Sequence, residues 1–243
     1  MKGRVDGRDG VTGRMRRYWD DRARENAAFY VDTTVTYDAP DLDKFFRAGD
    51  LVVREALLES PIQPRGRIRA LEIGSGLGRV CKALAPHFKQ VFGIDVSAEM
   101  VQRAQSIVKE PNVTFEVGDG MTLEAADDAS VDFVITFTVL QHLPNRTVIA
   151  GYLREAARAL RSGGVLAAQW NGDAHPLRYR LRCWRLRFQQ RLGVVRDNRV
   201  APEFLGTPVP VSYVCGVLRD AGLVIEATKG EGTLFSWVWA RKP

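Results

Sequence analysis

Short apolar runs alternate with amphipathic stretches through the middle of this chain. The runs predict β-strands at 68–73, 90–94, 113–117, 131–137 and 165–170. Apolar residues at helical spacing predict helices at 79–87, 97–109 and 146–160. Apolar strands separated by amphipathic helices are typical of a parallel sheet that is covered on both faces.

The pattern changes at both ends of the chain. Residues 14–31 and 41–59 are helix-like and precede the first strand. A further helix at 211–221 is followed by strands 223–228 and 234–240, which only a turn-sized gap separates. We therefore predict an α/β fold with a seven-stranded sheet, in which five parallel strands are followed by a C-terminal antiparallel hairpin.

The composition is typical of a folded protein from a reducing compartment. The chain has 243 residues, 45% of them hydrophobic, and three cysteines without Cys-x-x-Cys spacing. This pattern predicts neither a disulfide framework nor a metal site, and it favours the cytoplasm. Residues 1–13 predict a disordered arm rather than a secretory signal. No apolar run approaches the roughly 20 residues that a membrane-spanning helix needs.

One segment accounts for the net charge of +6. Residues 176–200 contain eight arginines and one aspartate, a local charge of +7 that leaves −1 for the rest of the chain. The basic character therefore describes this segment, and it argues little for nucleic acid as a partner of the whole protein. The segment also contains an apolar stripe at helical spacing, made of Leu177, Leu181, Trp184, Phe188 and Leu192.

A glycine-rich turn directly follows the first strand. Gly74, Gly76 and Gly78 precede the helix at 79–87. Glycine lets a ligand approach the backbone closely, and the start of the helix offers unpaired N–H groups. A dinucleotide-binding turn would need its third glycine at position 79, where this chain has Arg79. The turn predicts a nucleotide-like ligand and argues against a nicotinamide cofactor.

Two aspartates follow the next two strands. Asp95 ends the second strand and Asp119 comes just after the third, at the edge where open α/β sheets bind ligands. Asp95 is placed to accept hydrogen bonds from ribose hydroxyls, and Asp119 from an adenine amine. The alternatives are a helix N-cap for Asp95, a role that Ser97 fills better, and a turn aspartate between glycines for Asp119.

In order and spacing, these motifs resemble those of class I S-adenosylmethionine-dependent methyltransferases. The matching segments lie within about residues 67–170 and are 71–78, 93–97 with Met100, 118–120, 136–142 and 160–165. Segments 18–24 and 45–49 resemble the lid helices of small-molecule members. The resemblance implies a Rossmann-like domain at 61–243, an N-terminal helical lid at 14–60 and a cap helix in a basic insert at 176–200.

The resemblance also implies S-adenosylmethionine as the cofactor and S-adenosylhomocysteine as the product. The implied contacts are Glu72, Gly74, Ser75 and Gly76 to the methionine moiety, Asp95 to the ribose, Val96 and Met100 to the adenine face, Asp119, Gly120 and Met121 to the adenine edge, Phe137 near the sulfonium, and Tyr18 as a cover. Tyr18 has the alternative role of anchoring its helix. Met100 and Phe137 have the alternative role of ordinary core residues.

Methyl transfer needs few catalytic groups from the protein, because a sulfonium is already a good leaving group. The rate of the in-line displacement depends mainly on the approach geometry of the acceptor. A base is needed only if the acceptor must lose a proton. His142, just beyond the fourth strand, is the candidate catalytic residue, since histidine titrates near neutral pH. The alternative is a structural histidine in the loop before Pro144.

The expected partner is a small-molecule acceptor, acidic or lipid-like. Nucleic acid is disfavoured, because enzymes that methylate base amines usually carry an Asp/Asn-Pro-Pro-aromatic run after the fourth strand, and 136–142 has none. A protein that binds the cofactor without catalysis is the remaining alternative.

The apolar stripe at 177–192 allows three interpretations: a helix packed on the edge of the sheet, the wall of a pocket for an acidic substrate, or a peripheral contact with an anionic membrane. Inserts after the fifth strand often shape substrate pockets in the superfamily that the chain resembles. That tendency favours the pocket wall over the membrane.

Overall fold

The strands and helices alternate along the chain as the sequence pattern predicts. The computed structural model describes residues 10–124, 126–173, 176–192 and 201–243. The strands are β1 (Arg69–Ile73), β2 (Gln90–Asp95), β3 (Val113–Val117), β4 (Val131–Thr136), β5 (Leu160–Trp170), β6 (Val224–Lys229) and β7 (Ser236–Arg241). The helices are α1 (Val11–Val31), α2 (Leu42–Val53), α3 (Arg79–Leu84), α4 (Ala98–Ile107), α5 (Arg146–Ala159), α6 (Pro176–Arg191), α7 (Pro202–Leu205) and α8 (Val211–Asp220).

Within these residues, seven strands form one sheet in the order β3-β2-β1-β4-β5-β7-β6. Strands β1 to β5 are parallel, and β7 is antiparallel to both β5 and β6. The predicted α/β architecture is therefore confirmed. The strand order reverses at β1, whose neighbours are β2 and β4, so a crevice for ligands is expected at the carboxyl ends of these strands.

Several element boundaries differ from the prediction. Helix α1 begins at Val11, so the end of the predicted disordered arm is helical, while residues 1–9 lie outside the described residues. Strand β5 begins at Leu160 rather than at residue 165, because Leu160 pairs with Val131 before a register shift. Gly163, with a φ of +79°, lies in that irregular part of the strand.

The N-terminal helices pack over the glycine turn. Helix α2 approaches α3 at Gly49, where a Cβ would lie 2.3 Å from the carbonyl oxygen of Arg79, so a side chain at this position would force the helices apart. Helix α1 is attached to the start of α4 by Asp20, whose carboxylate accepts hydrogen bonds from the Ser97 hydroxyl at 2.6 Å and the Glu99 N–H at 3.2 Å. These contacts bring α1 to the carboxyl edge of the sheet.

Among the helices of the described part of the chain, none is both long enough and apolar enough to cross a membrane.

Candidate active site

The glycine turn between β1 and α3 has the strained geometry that its sequence predicts. Gly74, Gly76 and Gly78 have φ angles of +75°, +51° and +80°, a region that favours glycine. The N–H groups of Gly74 and Ser75 donate to the carbonyl of Ile94 at 2.7 and 3.1 Å. The turn is therefore fixed to the end of β2, beside Asp95.

Asp95 joins the turn to the start of α4. One carboxylate oxygen accepts from the N–H of Ser97 at 2.9 Å, and the other accepts from the N–H of Gly76 at 2.8 Å. Burial raises the pKa of Asp95, and these hydrogen bonds oppose that rise. A carboxylate has about four acceptor positions. Asp95 is only partly buried, so it retains capacity for a ligand's hydroxyl groups.

An inner cavity of about 80 Å³ lies against this turn. Six of the residues predicted from sequence line it: Gly74, Gly76, Asp95, Val96, Met100 and His142. Met15 and Trp19 of α1 and Tyr152 of α5 also line it, although no motif in the sequence marks them as site residues. The spacing of these residues along their helices indicates only that they face inward. The packing of the helices on the sheet decides which groups they contact.

An outer cavity of about 410 Å³ adjoins the inner one. The two cavities share Tyr30, Val31, Thr138 and His142. The outer cavity also has aromatic and polar side chains from distant segments, among them Phe137, Asn171, Phe204 and Phe235. Phe137, predicted to lie near the sulfonium, stacks on Trp237 with ring centroids 5.6 Å apart.

Glu72 lies behind the turn and lines neither cavity. Its side chain is 3% exposed, and its carboxylate accepts from the N–H of Cys81 at 2.9 Å. Burial raises the pKa of Glu72 to about 8. Ser75 is also buried, and its hydroxyl oxygen has no hydrogen-bond partner within the described ranges. The Glu72 carboxylate therefore holds the start of α3, and its contact with the methionine moiety stays a prediction.

The carboxylate of Asp119 is occupied by its own loop. It accepts from the N–H groups of Met121 and Thr122, both at 2.7 Å, and from the Thr122 hydroxyl at 2.9 Å. Burial acts to raise the pKa of Asp119, but these hydrogen bonds outweigh it and lower the pKa. Asp119, Gly120 and Met121 line neither cavity, and Met121 is 52% exposed. In this structure Asp119 is a turn aspartate, the alternative interpretation of its sequence.

Trp19, rather than Tyr18, covers the inner cavity. The Tyr18 ring lies 5.2 Å from the guanidinium carbon of Arg22 and packs edge-on against Trp19, with centroids 5.3 Å apart. Adjacent residues on a helix point about 100° apart, so only one of these two aromatic rings can face the cavity.

His142 lies where the two cavities meet. Its Nδ1–H donates to the carbonyl of Phe204, which leaves Nε2 as an acceptor, and the Gln141 amide nitrogen lies 3.3 Å from Nε2. Trp19 and Phe204 pack against the ring, with centroid distances of 5.3 and 4.9 Å. Burial lowers the pKa of His142 to about 4, so the imidazole is neutral at pH 7.

This lowered pKa predicts a pH-dependent stability. Between about pH 6.5 and pH 4 the unfolded chain binds more protons at His142, so the free energy of unfolding falls as the pH falls through this window. Allowing for partial exposure, the loss is about 2 kcal/mol. In His142→Asn, which keeps an N–H donor for Phe204 but cannot titrate, urea unfolding at pH 7 and pH 4.5 should show a loss smaller by that amount. Equal losses in both proteins would contradict the assignment.

Helix α6 exposes its apolar stripe. Its large apolar side chains are between 49% and 72% exposed, and no described residue of α6 lines either cavity. The interpretations in which this stripe packs on the sheet or forms a pocket wall are therefore wrong for this structure. Helical periodicity identifies residues that share a face, but it does not identify what that face contacts.

Part of the chain is similar to a known family of domains. A family model described as "Methyltransferase domain" matches residues 71–168, a range that includes the glycine turn, Asp95 and His142. An uncharacterized 37.1 kDa protein of transposon TN4556 from Streptomyces fradiae is 37% identical over 142 residues, covering 56% of this chain and 36% of that protein. The demethylmenaquinone methyltransferase of Tropheryma whipplei is 32% identical over 151 residues, covering 62% and 58%.

Among solved structures, the fold is similar to that of magnesium protoporphyrin IX methyltransferase from Synechocystis PCC 6803, which contains bound S-adenosylhomocysteine. The TM-score is 0.61 at 19% identity, over 94% of this chain and 98% of that one. At this identity the likeness shows the fold alone. The chain spans between about a third and three fifths of the length of the curated relatives described above.

Proposed function

We propose that this chain, a member of the class I S-adenosylmethionine-dependent methyltransferase superfamily, transfers a methyl group from S-adenosylmethionine to a small-molecule acceptor. The observation that carries the proposal is the meeting of two cavities at Thr138 and His142. One cavity contains the glycine turn and Asp95, and the other has aromatic and amide side chains. A donor and an acceptor bound side by side there would be held for in-line transfer.

The residues that line the inner cavity have the chemistry to bind an adenosyl group. Asp95 combines a fixed carboxylate with remaining acceptor capacity, which suits the two hydroxyls of a ribose. Val96 and Met100 offer apolar surface for an adenine ring. The backbone of Gly74 and Gly76 allows close approach of the methionine moiety. When bound, S-adenosylmethionine supplies a methyl group on a sulfonium leaving group.

The outer cavity suits a ring-containing acceptor with polar substituents. Phe137, Phe204 and Phe235 offer aromatic surface, while Gln141 and Asn171 offer amide groups. A relative named for demethylmenaquinone supports a small molecule over nucleic acid. We include a cytoplasmic location in the proposal, since Cys81, Cys183 and Cys215 are free.

A turnover assay tests the proposal. We expect S-adenosylhomocysteine to accumulate when the chain is incubated with S-adenosylmethionine and a panel of phenols, quinols and aromatic carboxylic acids. Calorimetry with S-adenosylhomocysteine serves as the parallel control for folding and binding. Binding without turnover on any acceptor would favour a non-catalytic protein, and transfer confined to oligonucleotides would contradict the small-molecule acceptor.

We further propose that His142 accepts the proton when the acceptor is a hydroxyl group. Its Nε2 is an acceptor at the junction of the cavities, and its ring is fixed by Phe204. A positioned base contributes roughly 10²- to 10⁴-fold, and the lowered pKa of His142 places it at the low end of that range, so His142→Asn should lower kcat at pH 7 by about 100-fold. The affinity for S-adenosylhomocysteine should change little. Full activity of this variant on a hydroxyl acceptor would exclude the role.

A further inference from the structure

Helix α6 has an exposed apolar face with a basic border. Leu177, Leu181 and Trp184 are 72%, 64% and 65% exposed, and Phe188 is 49% exposed. The rings of Trp184 and Phe188 stack on one another, with centroids 5.6 Å apart. Ordinary solvated helix faces do not present a continuous row of apolar side chains. Exposed contiguous apolar patches of this kind mark interaction sites.

All the charged side chains of α6 are positive. The helix has six arginines and no acidic residue: Arg178, Arg180, Arg182, Arg185, Arg187 and Arg191. At about 100° per residue, the apolar side chains span about 80° of arc, and the arginine positions lie on both sides of it. Cys183 and Leu186, on the opposite face, are half-buried. The helix therefore faces the protein with its other side and presents the apolar stripe outward.

The segment that contains α6 begins and ends at the mouth of the outer cavity. Asn171 precedes α6, Phe204 and Leu205 follow it, and all three line that cavity. The β6–β7 loop lies at the same mouth, because the N–H of Gly172 donates to the carbonyl of Thr233 at 2.8 Å. This loop carries two more exposed apolar residues of the cavity, Leu234 at 37% and Phe235 at 56%.

We propose that α6 binds the interfacial layer of an anionic lipid bilayer through its apolar stripe and its arginines. An apolar face bordered by arginines, with a tryptophan among its apolar residues, has the chemistry of a helix that lies in the plane of a membrane surface. Lipid headgroups of negative charge would neutralise the arginines, and the acyl region would cover the leucines and aromatic rings.

Other occupants fit this face less well. A second copy of α6 would bring six arginines against six without an acidic residue to neutralise them. Nucleic acid would pair with the arginines, but phosphates would leave Leu177, Leu181 and Leu192 uncovered. An anionic bilayer would both neutralise the arginines and cover the apolar stripe.

This membrane contact also bears on the acceptor. Asn171, Phe204 and Leu205, which lie on either side of α6 in the chain, line the outer cavity. A membrane-bound α6 would therefore hold that cavity near the lipid surface, where a lipophilic acceptor is concentrated. This consequence rests on the proposed methyl transfer, whereas the binding of α6 to lipid does not. A vesicle experiment without methyl donor therefore tests the surface independently of the reaction.

Co-sedimentation with vesicles is the experiment. We expect the full chain to bind phosphatidylcholine vesicles at least about tenfold more tightly when they contain about 30% phosphatidylglycerol, and to lose this gain in high salt. Trp184→Glu should weaken binding by about tenfold or more, because it places a charge in the apolar stripe. The matched control is Leu51→Glu on α2, where the leucine is 61% exposed and the charge change is the same. This control should bind like the wild type.

A second variant tests the charges alone. Arg185→Gln with Arg191→Gln, two exposed positions, should weaken binding to anionic vesicles and reduce its salt dependence while the apolar stripe stays intact. The proposal is overturned if the wild type ignores anionic lipid, or if Trp184→Glu and Leu51→Glu bind alike. It is equally overturned if Trp184→Glu abolishes a dimer in sedimentation velocity or oligonucleotide binding, with lipid binding unchanged.

Discussion

Replacing Asp95 with asparagine is expected to weaken the binding of S-adenosylmethionine by about 100-fold. Asp95 lines the inner cavity and holds the N–H groups of Ser97 and Gly76. The amide has one acceptor oxygen instead of two and carries no charge, so it cannot hold both N–H groups and also accept from a ribose. Hydrogen bonds to a charged group contribute about 1.5–3 kcal/mol each, and losing about 3 kcal/mol corresponds to the stated factor. Titration calorimetry measures the affinity directly.

The matched control is Asp119→Asn. Both aspartates follow a strand of the same sheet, but the carboxylate of Asp119 is occupied by Met121 and Thr122 and lines neither cavity. We expect its affinity for the cofactor to stay within about threefold of the wild type. An equal loss in both variants would restore the adenine-amine role of Asp119. An unchanged Asp95→Asn would remove the ribose role of Asp95.

Replacing Arg79 with methionine is expected to lower the free energy of unfolding by about 3–5 kcal/mol, because it leaves a buried carboxylate without its partner. The Arg79 guanidinium pairs with Asp32, and their side chains are 6% and 10% exposed. It also lies 5.2 Å above the Phe45 ring. Burial acts to raise the pKa of Asp32, but hydrogen bonds from Thr34 and the charge of Arg79 outweigh it and lower the pKa. Urea unfolding at pH 7 measures the loss.

Two controls separate burial from charge. Arg24→Met removes an exposed arginine of α1 that pairs with Asp21 at 3.2 Å and with Glu99 at 3.6 Å, and it should cost about 1 kcal/mol or less. The double variant Arg79→Met with Asp32→Asn removes the stranded charge, so it should be more stable than Arg79→Met alone. A double variant that is as unstable as the sum of its parts would show that packing, rather than the ion pair, determines the effect.

The ion pair also links the N-terminal helices to the glycine turn. Arg79 is the first residue of α3, directly after the turn, and Asp32 is the C-cap of α1. Both residues line the outer cavity. Position 79 therefore has two consequences: its side chain breaks the dinucleotide-binding pattern in the sequence, and it fixes α1 over the turn in the structure. Arg79→Met should accordingly also weaken cofactor binding.

The fold and the glycine turn beside Asp95 were predicted correctly from the sequence, because their signals are local. Strand and helix periods differ, so the alternation of strands and helices follows from the spacing of apolar residues. The turn at Gly74 requires a backbone conformation that glycine favours, and Asp95 follows it at the end of the next strand. These features depend on neighbours in the chain, which the sequence shows directly.

Roles that depend on orientation were not readable. Asp119 and Asp95 occupy equivalent places after successive strands, and both carboxylates accept from backbone N–H groups. Only Asp95 lines a cavity. Trp19 rather than Tyr18 covers the inner cavity, because the rotation of α1 against the sheet selects the ring that faces it. Rotating α1 by about 100°, the angle between successive residues, would exchange these two roles. The spacing of apolar residues does not fix the rotation of the helix that closely.

The sequence by itself determined the order of strands and helices along the chain and the glycine turn followed by Asp95. Tertiary structure alone decided the outer cavity, since Phe137, Asn171, Phe204 and Phe235 come together only when α7 and the β6–β7 loop fold over the sheet. It likewise decided the exposure of the α6 stripe. The physical reason is the same in both cases. The spacing of residues along the chain specifies which side chains share a face, whereas the packing of distant segments specifies which groups that face contacts.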